Sequence, residues 1–196
     1  MRTARSRDRY RRPLRNSMLA LFTVSCALAV TSCSGASDDP KASPTPSTAQ
    51  PTKPTDPTET AKKDAIATYQ AYWKEVEKLY ADPSGKSAKL KQYAASAALK
   101  NVESDAKQAH DHRRIHIGQV TVGNPTVTEL DLKSKTPRAT LSSCLDISRW
   151  KVVDTKTKQP VSLPSNRLTK YVIQSEVERW PEGWRVIRDE PQGKRC

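Results

Sequence analysis

Three kinds of hydrophobic pattern follow one another along the chain. The first is a continuous apolar run, Met18 to Val30, reading MLALFTVSCALAV. It carries no amphipathic stripe. It is also short: a membrane-spanning helix needs roughly 20 apolar residues. A signal-peptide core needs about 7 to 15, preceded by positive charge and followed by small residues. The second pattern starts at Ala61, where Ile66, Tyr69, Trp73, Val76 and Tyr80 recur every three or four residues, with Tyr72 and Leu79 beside them. That spacing predicts an amphipathic helix, ended by Asp82-Pro83-Ser84-Gly85. A second helix is expected from about Ser87 to Asp111, with Leu90, Tyr93, Ala94, Ala97 and Ala98 on one side and a break near Asn101.

The third pattern has period two. Ile115, Ile117, Val120 and Val122 read as a strand closed by a turn at Gly123-Asn124-Pro125, and Thr126 to Leu132 alternates after it. Ala139, Leu141, Ser143, Leu145 and Ile147 form one face of a long strand that is expected to continue through Trp150 to Val153. DTKTKQP reads as a turn. Tyr171, Ile173 and Val177 share a face, and WPEGW makes a tight hairpin leading to Trp184, Val186 and Ile187. Helices followed by hairpin-linked strands predict an α+β fold, with N-terminal helices packed on a curved, mostly antiparallel sheet.

Between the apolar run and the first helix, Ser34 to Thr60 has no large apolar residue but holds Pro40, Pro44, Pro46, Pro51, Pro54 and Pro57 among Thr and Ser. Such a segment buries too little apolar surface to offset its ordering entropy. Proline stiffens it, to a reach of roughly 80 Å at full extension. Three parts are therefore expected: residues 1–32 a signal peptide, residues 33–60 a Pro/Thr-rich stalk, and residues 61–196 a globular domain. The formal net charge of +13 follows this division. Seven arginines and Asp8 give residues 1–32 a charge of +6, so almost half the basicity belongs to the export segment. No nucleic-acid partner is expected on that ground. Arg11-Arg12 leaves the export route, general or twin-arginine, open.

Val30-Thr31-Ser32-Cys33 resembles the lipobox of bacterial lipoproteins. The resemblance implies that a diacylglyceryl group joins the Cys33 thiol and that cleavage before it makes Cys33 the first residue. Two acyl chains would anchor the chain stably, where one is marginal. The protein would then sit on the outer, extracytoplasmic face of the cell membrane, its stalk holding the domain away from the surface. Cys26 would leave with the signal peptide. Cys144 and Cys196 then remain as an even pair in an oxidising setting, and a disulfide is expected between them.

The order of elements from residue 61 resembles the nuclear transport factor two-like superfamily, the cystatin-like α+β cone. More closely, YAASAALKNVESDAKQAHDHRRIHIGQVTV, SSCLDISRWKVVDTKTKQPV and VERWPEGWRVIRDEPQGKRC resemble uncharacterised secreted proteins of high-GC Gram-positive bacteria. The resemblance implies a conical pocket under a curved sheet. It implies no single activity, because that superfamily holds isomerases, dehydratases and plain binding proteins.

The candidate chemistry is sparse. His110, His112 and His116 in HDHRRIH invite a metal reading, but the segment lies at a helix–strand junction and reads as a solvated polar stretch, so no metal site is expected. Gly85-Lys86-Ser87 lacks the upstream glycine and strand of a phosphate loop. No cofactor motif is present. Asp146 and Glu176 read as outward polar positions, and the aromatic first helix reads as core or as the lining of a small-ligand pocket. These features point to a non-catalytic, lipid-anchored module for an envelope protein, a wall polymer or a small ligand. The second reading is a pocket enzyme of the isomerase or dehydratase type.

Overall fold

A computed structural model describes residues 56–196. The expected signal peptide, Cys33 and the expected stalk up to residue 55 lie outside the described residues. The first helix, α1, spans Pro57–Ala81. It begins four residues earlier than the composition suggests, because Asp56 caps it: the Asp56 carboxylate accepts from Thr58 N at 2.9 Å, and Pro57 takes the first helical position, where no N–H is needed. Pro57 to Thr60 are thus the first residues of α1. The buried face is Ala61, Ala65, Tyr69, Tyr72 and Val76, with Ile66, Trp73, Leu79 and Tyr80 packed around it. Two alanines at its start let α1 lie close to the sheet, and two tyrosines then fill the space beneath it.

The second helix, α2, spans Ser96–Asp111 and runs unbroken through Asn101. The expected start at Ser87 is corrected. Leu90–Gln92 form one 3₁₀ turn, and the next residues extend along a strand edge, where Val186 N donates to Tyr93 O at 2.8 Å and Ala95 N to Val186 O at 2.9 Å. An alanine-rich stretch gives up helix here because covering the sheet edge satisfies backbone groups that a helix would leave unpaired.

Six strands follow: β1 Arg114–Ile117, β2 Thr121–Asp131, β3 Arg138–Asp146, β4 Lys151–Asp154, β5 Lys170–Trp180 and β6 Gly183–Pro191. Four of them form an antiparallel sheet in the order β2-β3-β5-β6, and β1 and β4 form a separate two-stranded ribbon. The helices pack on one face of the larger sheet, so the fold is α+β. Its inner face is built from Ala139, Leu141, Ser143 and Leu145 of β3, Ile173, Ser175 and Val177 of β5, and Trp184 and Val186 of β6, all buried. The alternation read for β3 holds from Ala139 to Leu145.

Two expected boundaries move for identifiable reasons. Gly123-Asn124-Pro125 is not a turn between strands but a bulge within β2. Gly123 pairs with Cys144 and Thr126 with Ser142, leaving one extra residue on β2. Pro125, which has no N–H to give, sits where the ladder is interrupted. The long strand through Val153 divides instead at Ile147–Trp150. There the Asp146 carboxylate accepts from Ser148 N at 2.9 Å, and Trp150 N donates to Ile147 O at 3.1 Å. The chain turns away from the sheet and returns as β4 beside β1. Gly118 permits the close passage: its φ is +101°, and a Cβ there would lie 2.0 Å from the Arg149 carbonyl oxygen.

The WPEGW hairpin joins β5 and β6 with Pro181-Glu182 as its two-residue loop, Trp180 pairing with Gly183. Cys144 and Cys196 form a disulfide, with a Cα–Cα distance of 5.8 Å and a separation of 52 residues. The tail leading to it pairs with β5, Val172 N donating to Lys194 O at 2.8 Å and Gln192 N to Val172 O at 2.9 Å.

Candidate functional site

Chemistry-bearing side chains gather in two places. The first is under the larger sheet. Ser175 on β5 and Asp189 on β6 stand directly opposite each other, and the Ser175 hydroxyl donates to the Asp189 carboxylate at 2.5 Å. Tyr69 of α1 closes over them, its hydroxyl accepting from Ser143 at 3.5 Å. Burial pushes the Asp189 carboxyl up to about 7, against the pull of hydrogen bonding from Ser175 and Tyr69. Burial likewise pushes the Tyr69 and Tyr72 phenols up, and the Asp189 charge adds to the effect. Tyr69 and Tyr72, 0% and 1% exposed, occupy the space beside the carboxyl. The cluster can hold and share a proton, and Tyr69 and Tyr72 pack over it as part of the core.

Asp189 was not legible as an inward residue. With Trp184 and Val186 facing in, strict alternation would bring Arg188 inward. The bulge between Glu176/Arg188 and Val177/Val186 inserts Ile187 and shifts the phase, so Asp189 faces in. The two acids assigned to the outward face behave differently. Asp146 terminates β3 through Ser148, and Glu176 lies opposite Arg188.

The second place is the β1–β4 ribbon. His116 on β1 and Trp150 just before β4 pack against Tyr80 in the last turn of α1. Ring centroids lie 4.6 Å apart for His116–Trp150, 4.8 Å for Tyr80–His116 and 5.0 Å for Tyr80–Trp150. Trp73 meets Trp150 edge-on at 6.5 Å. Burial holds His116 down at about 4, helped by the charges of His110 and Arg167, so the imidazole is neutral at ordinary pH. His116 Nδ1 and Trp150 Nε1 are both buried with no hydrogen-bond partner among the described residues. Beside them a cleft of about 450 Å³ opens between α2 and the ribbon, lined by Tyr80, Asp105, His112, Arg114, His116 and Leu163 among others.

The three histidines separate. His110 Nε2 lies 3.2 Å from the Tyr80 carbonyl oxygen, His112 is exposed at the cleft rim, and His116 enters the aromatic cluster. No group of three or more His, Cys, Asp or Glu side chains at metal-binding spacing occurs among the described residues. Near the other end of the ribbon, Glu77 accepts from the backbone N–H of Val120 and borders a second cleft of about 420 Å³ with Trp73 and Lys74. Gly85-Lys86-Ser87 is held by Asp82, whose carboxylate accepts from Ser84 N at 2.9 Å and Ser87 N at 3.1 Å. That loop is a helix terminator with its own side-chain ligand. No helix of the described residues is long and apolar enough to cross a membrane.

No family model and no curated protein matches the chain. Among solved structures, the fold is similar to the intermembrane space region of the chloroplast protein ARC6, at 13% identity and a TM-score of 0.46, over 66% of this chain and 95% of that one. Likeness at this level carries no argument about activity.

Proposed function

We propose that the chain is a lipoprotein of the bacterial cell envelope, anchored through Cys33 on the outer face of the membrane, whose domain binds rather than catalyses. The observation that carries the reading is the Cys144–Cys196 disulfide. A bonded pair is the expected state in an exported, oxidising compartment. It accounts for both cysteines of the domain and leaves Cys33, at the end of the apolar run, free for a different role. The packing of Tyr69 and Tyr72, both fully buried on the side of the sheet that Asp189 faces, supports binding over catalysis. Two N-terminal helices on one face of an antiparallel sheet are in keeping with a nuclear transport factor two-like domain.

The test is fractionation and intact-mass measurement of the expressed chain. The wild type should appear in the membrane fraction with a diacylglyceryl mass on Cys33, and Cys33→Ala should be released or left unprocessed. A wild-type chain without that mass, or full membrane retention of Cys33→Ala after residues 1–32 have been cleaved, would overturn the anchor. The second reading, a pocket enzyme, is favoured by one observation: a carboxyl shifted to about 7 is what a general acid or base requires. It needs α1 to move away from the sheet to admit a substrate.

A further inference from the structure

We propose that the cleft between α2 and the β1–β4 ribbon binds a small amphiphilic anion, with its apolar or aromatic body on Tyr80, His116, Val152 and Leu163 and its carboxylate or phosphate on Arg114. The inference rests on the reading of the domain as a binding module and names the site and the ligand class.

The floor and the rim of the cleft make different demands. The floor offers Ala109, Val152 and Leu163 together with the faces and edges of Tyr80 and His116, which suits a flat or branched apolar group. The ring cluster is rigid, because Tyr80, His116 and Trp150 brace one another at close centroid distances. A preformed floor spares a ligand the cost of ordering it. The rim carries Arg114 and His112, and a neighbouring cleft that shares Val152 and Leu163 adds Lys151 and Arg167. None of Arg114, Lys151 and Arg167 forms an ion pair among the described residues. Their guanidinium and ammonium groups are free to take an incoming anion, and Arg114 can do so with two parallel hydrogen bonds.

Two features narrow the class. Asp105 on the same rim repels added negative charge, which selects a small anion over a polyanionic polymer. The volume of about 450 Å³ suits a metabolite-sized molecule and has no room for a folded partner.

The experiment titrates the purified exported chain with a panel of aryl and branched-alkyl carboxylates and phosphate monoesters, each paired with its neutral amide or alcohol. Binding is followed by calorimetry and by the ring resonances of His116. Members of the acid series should bind and shift His116, and their neutral counterparts should bind at least about tenfold more weakly, the usual worth of a charge-assisted hydrogen bond. Arg114 is exposed, so Arg114→Gln keeps the fold and should weaken the acid by a similar factor while leaving the neutral compound unaffected. Lys156→Gln, in the turn after β4, should change neither. Equal affinity for acid and neutral forms overturns the proposal, as does a panel that leaves His116 unmoved. Either result with the lipid mass still present on Cys33 removes the ligand class and leaves the anchored-module reading standing.

Discussion

The larger sheet and the β1–β4 ribbon each hold a half-buried titratable group, and they do so with opposite chemistry. Under the sheet, Asp189 is an acid that burial holds protonated toward neutral pH. In the ribbon, His116 is a base that burial holds unprotonated down to about 4. Both are neutral because water has been removed from around them, yet their surroundings differ. Asp189 has a hydrogen-bond donor in Ser175 and a lid of Tyr69 and Tyr72, so its polar atoms are served within the fold. His116 has Nδ1 without a partner and lies beside an open cleft. A satisfied buried group is a structural element. An unsatisfied one next to open volume is where a ligand has something to gain.

The largest expected effect concerns the covalent tie, which only the larger sheet possesses. The Cys144–Cys196 bridge closes 52 residues, a span worth about 4 kcal/mol in the chain-entropy description. Cys196→Ser should lower unfolding stability by that order in urea titrations without reductant. It should also speed amide exchange in β3 and β5, where the tail is joined, before it affects β1 and β4. A loss below about 1 kcal/mol would mean that the tail adds little to the sheet.

The next effect tests the acid. The groups facing Asp189 are Tyr69 and Tyr72 from α1 and Ser175 and Tyr171 from β5. The carboxyl titrates near 3.8 when unfolded and near 7 when folded, so between those values the folded state holds a proton that the unfolded state has released. Its contribution is complete below about pH 4 and is lost as pH rises through 7. Three pKa units correspond to about 4 kcal/mol, or roughly 3 kcal/mol once partial solvation is allowed for. Asp189→Asn should remove this slope and be more stable than the wild type at pH 8. Parallel stability curves from pH 4 to 8 would show that the carboxyl is solvated.

What was legible in the sequence divides along the same line. The faces of β3 and β5 were readable because a strand buried on one side must alternate, and Leu141, Leu145, Ile173 and Val177 do so. The disulfide was readable from counting cysteines. Asp189 was hidden because one bulge reverses the phase of β6, and no local signal marks a bulge at Ile187. The ribbon was hidden for a different reason. Trp150-Lys151-Val152-Val153 looks like the end of a long strand, and only the fold shows that Gly118 allows β1 and β4 to meet as a separate unit. Tyr80, His116 and Trp150 come from three elements, so their association belongs to tertiary structure and not to any motif.

The smallest expected effect tests the base and has the opposite sign. His116 titrates near 6.5 when unfolded and near 4 in the fold, so as pH falls between these values the unfolded state takes up a proton first. Its contribution is complete above about pH 6.5 and is lost toward pH 4. The imidazole is partly exposed, which screens the penalty and leaves about 1 to 2 kcal/mol. His116→Phe keeps a flat ring against Tyr80 and Trp150 and cannot titrate, so it should remove the rise in stability that His116 contributes between pH 4 and 6.5 while leaving stability at pH 8 nearly unchanged. From pH 4 to 6.5 the His116 slope opposes that of Asp189, and the wild-type profile there should be shallower than either single variant's. Each single variant exposes the slope of the other group: Asp189→Asn should rise in stability with pH across this window, and His116→Phe should fall. A double variant that still shows a pronounced slope in the window would assign the pH dependence to other groups and end the comparison between the two sites.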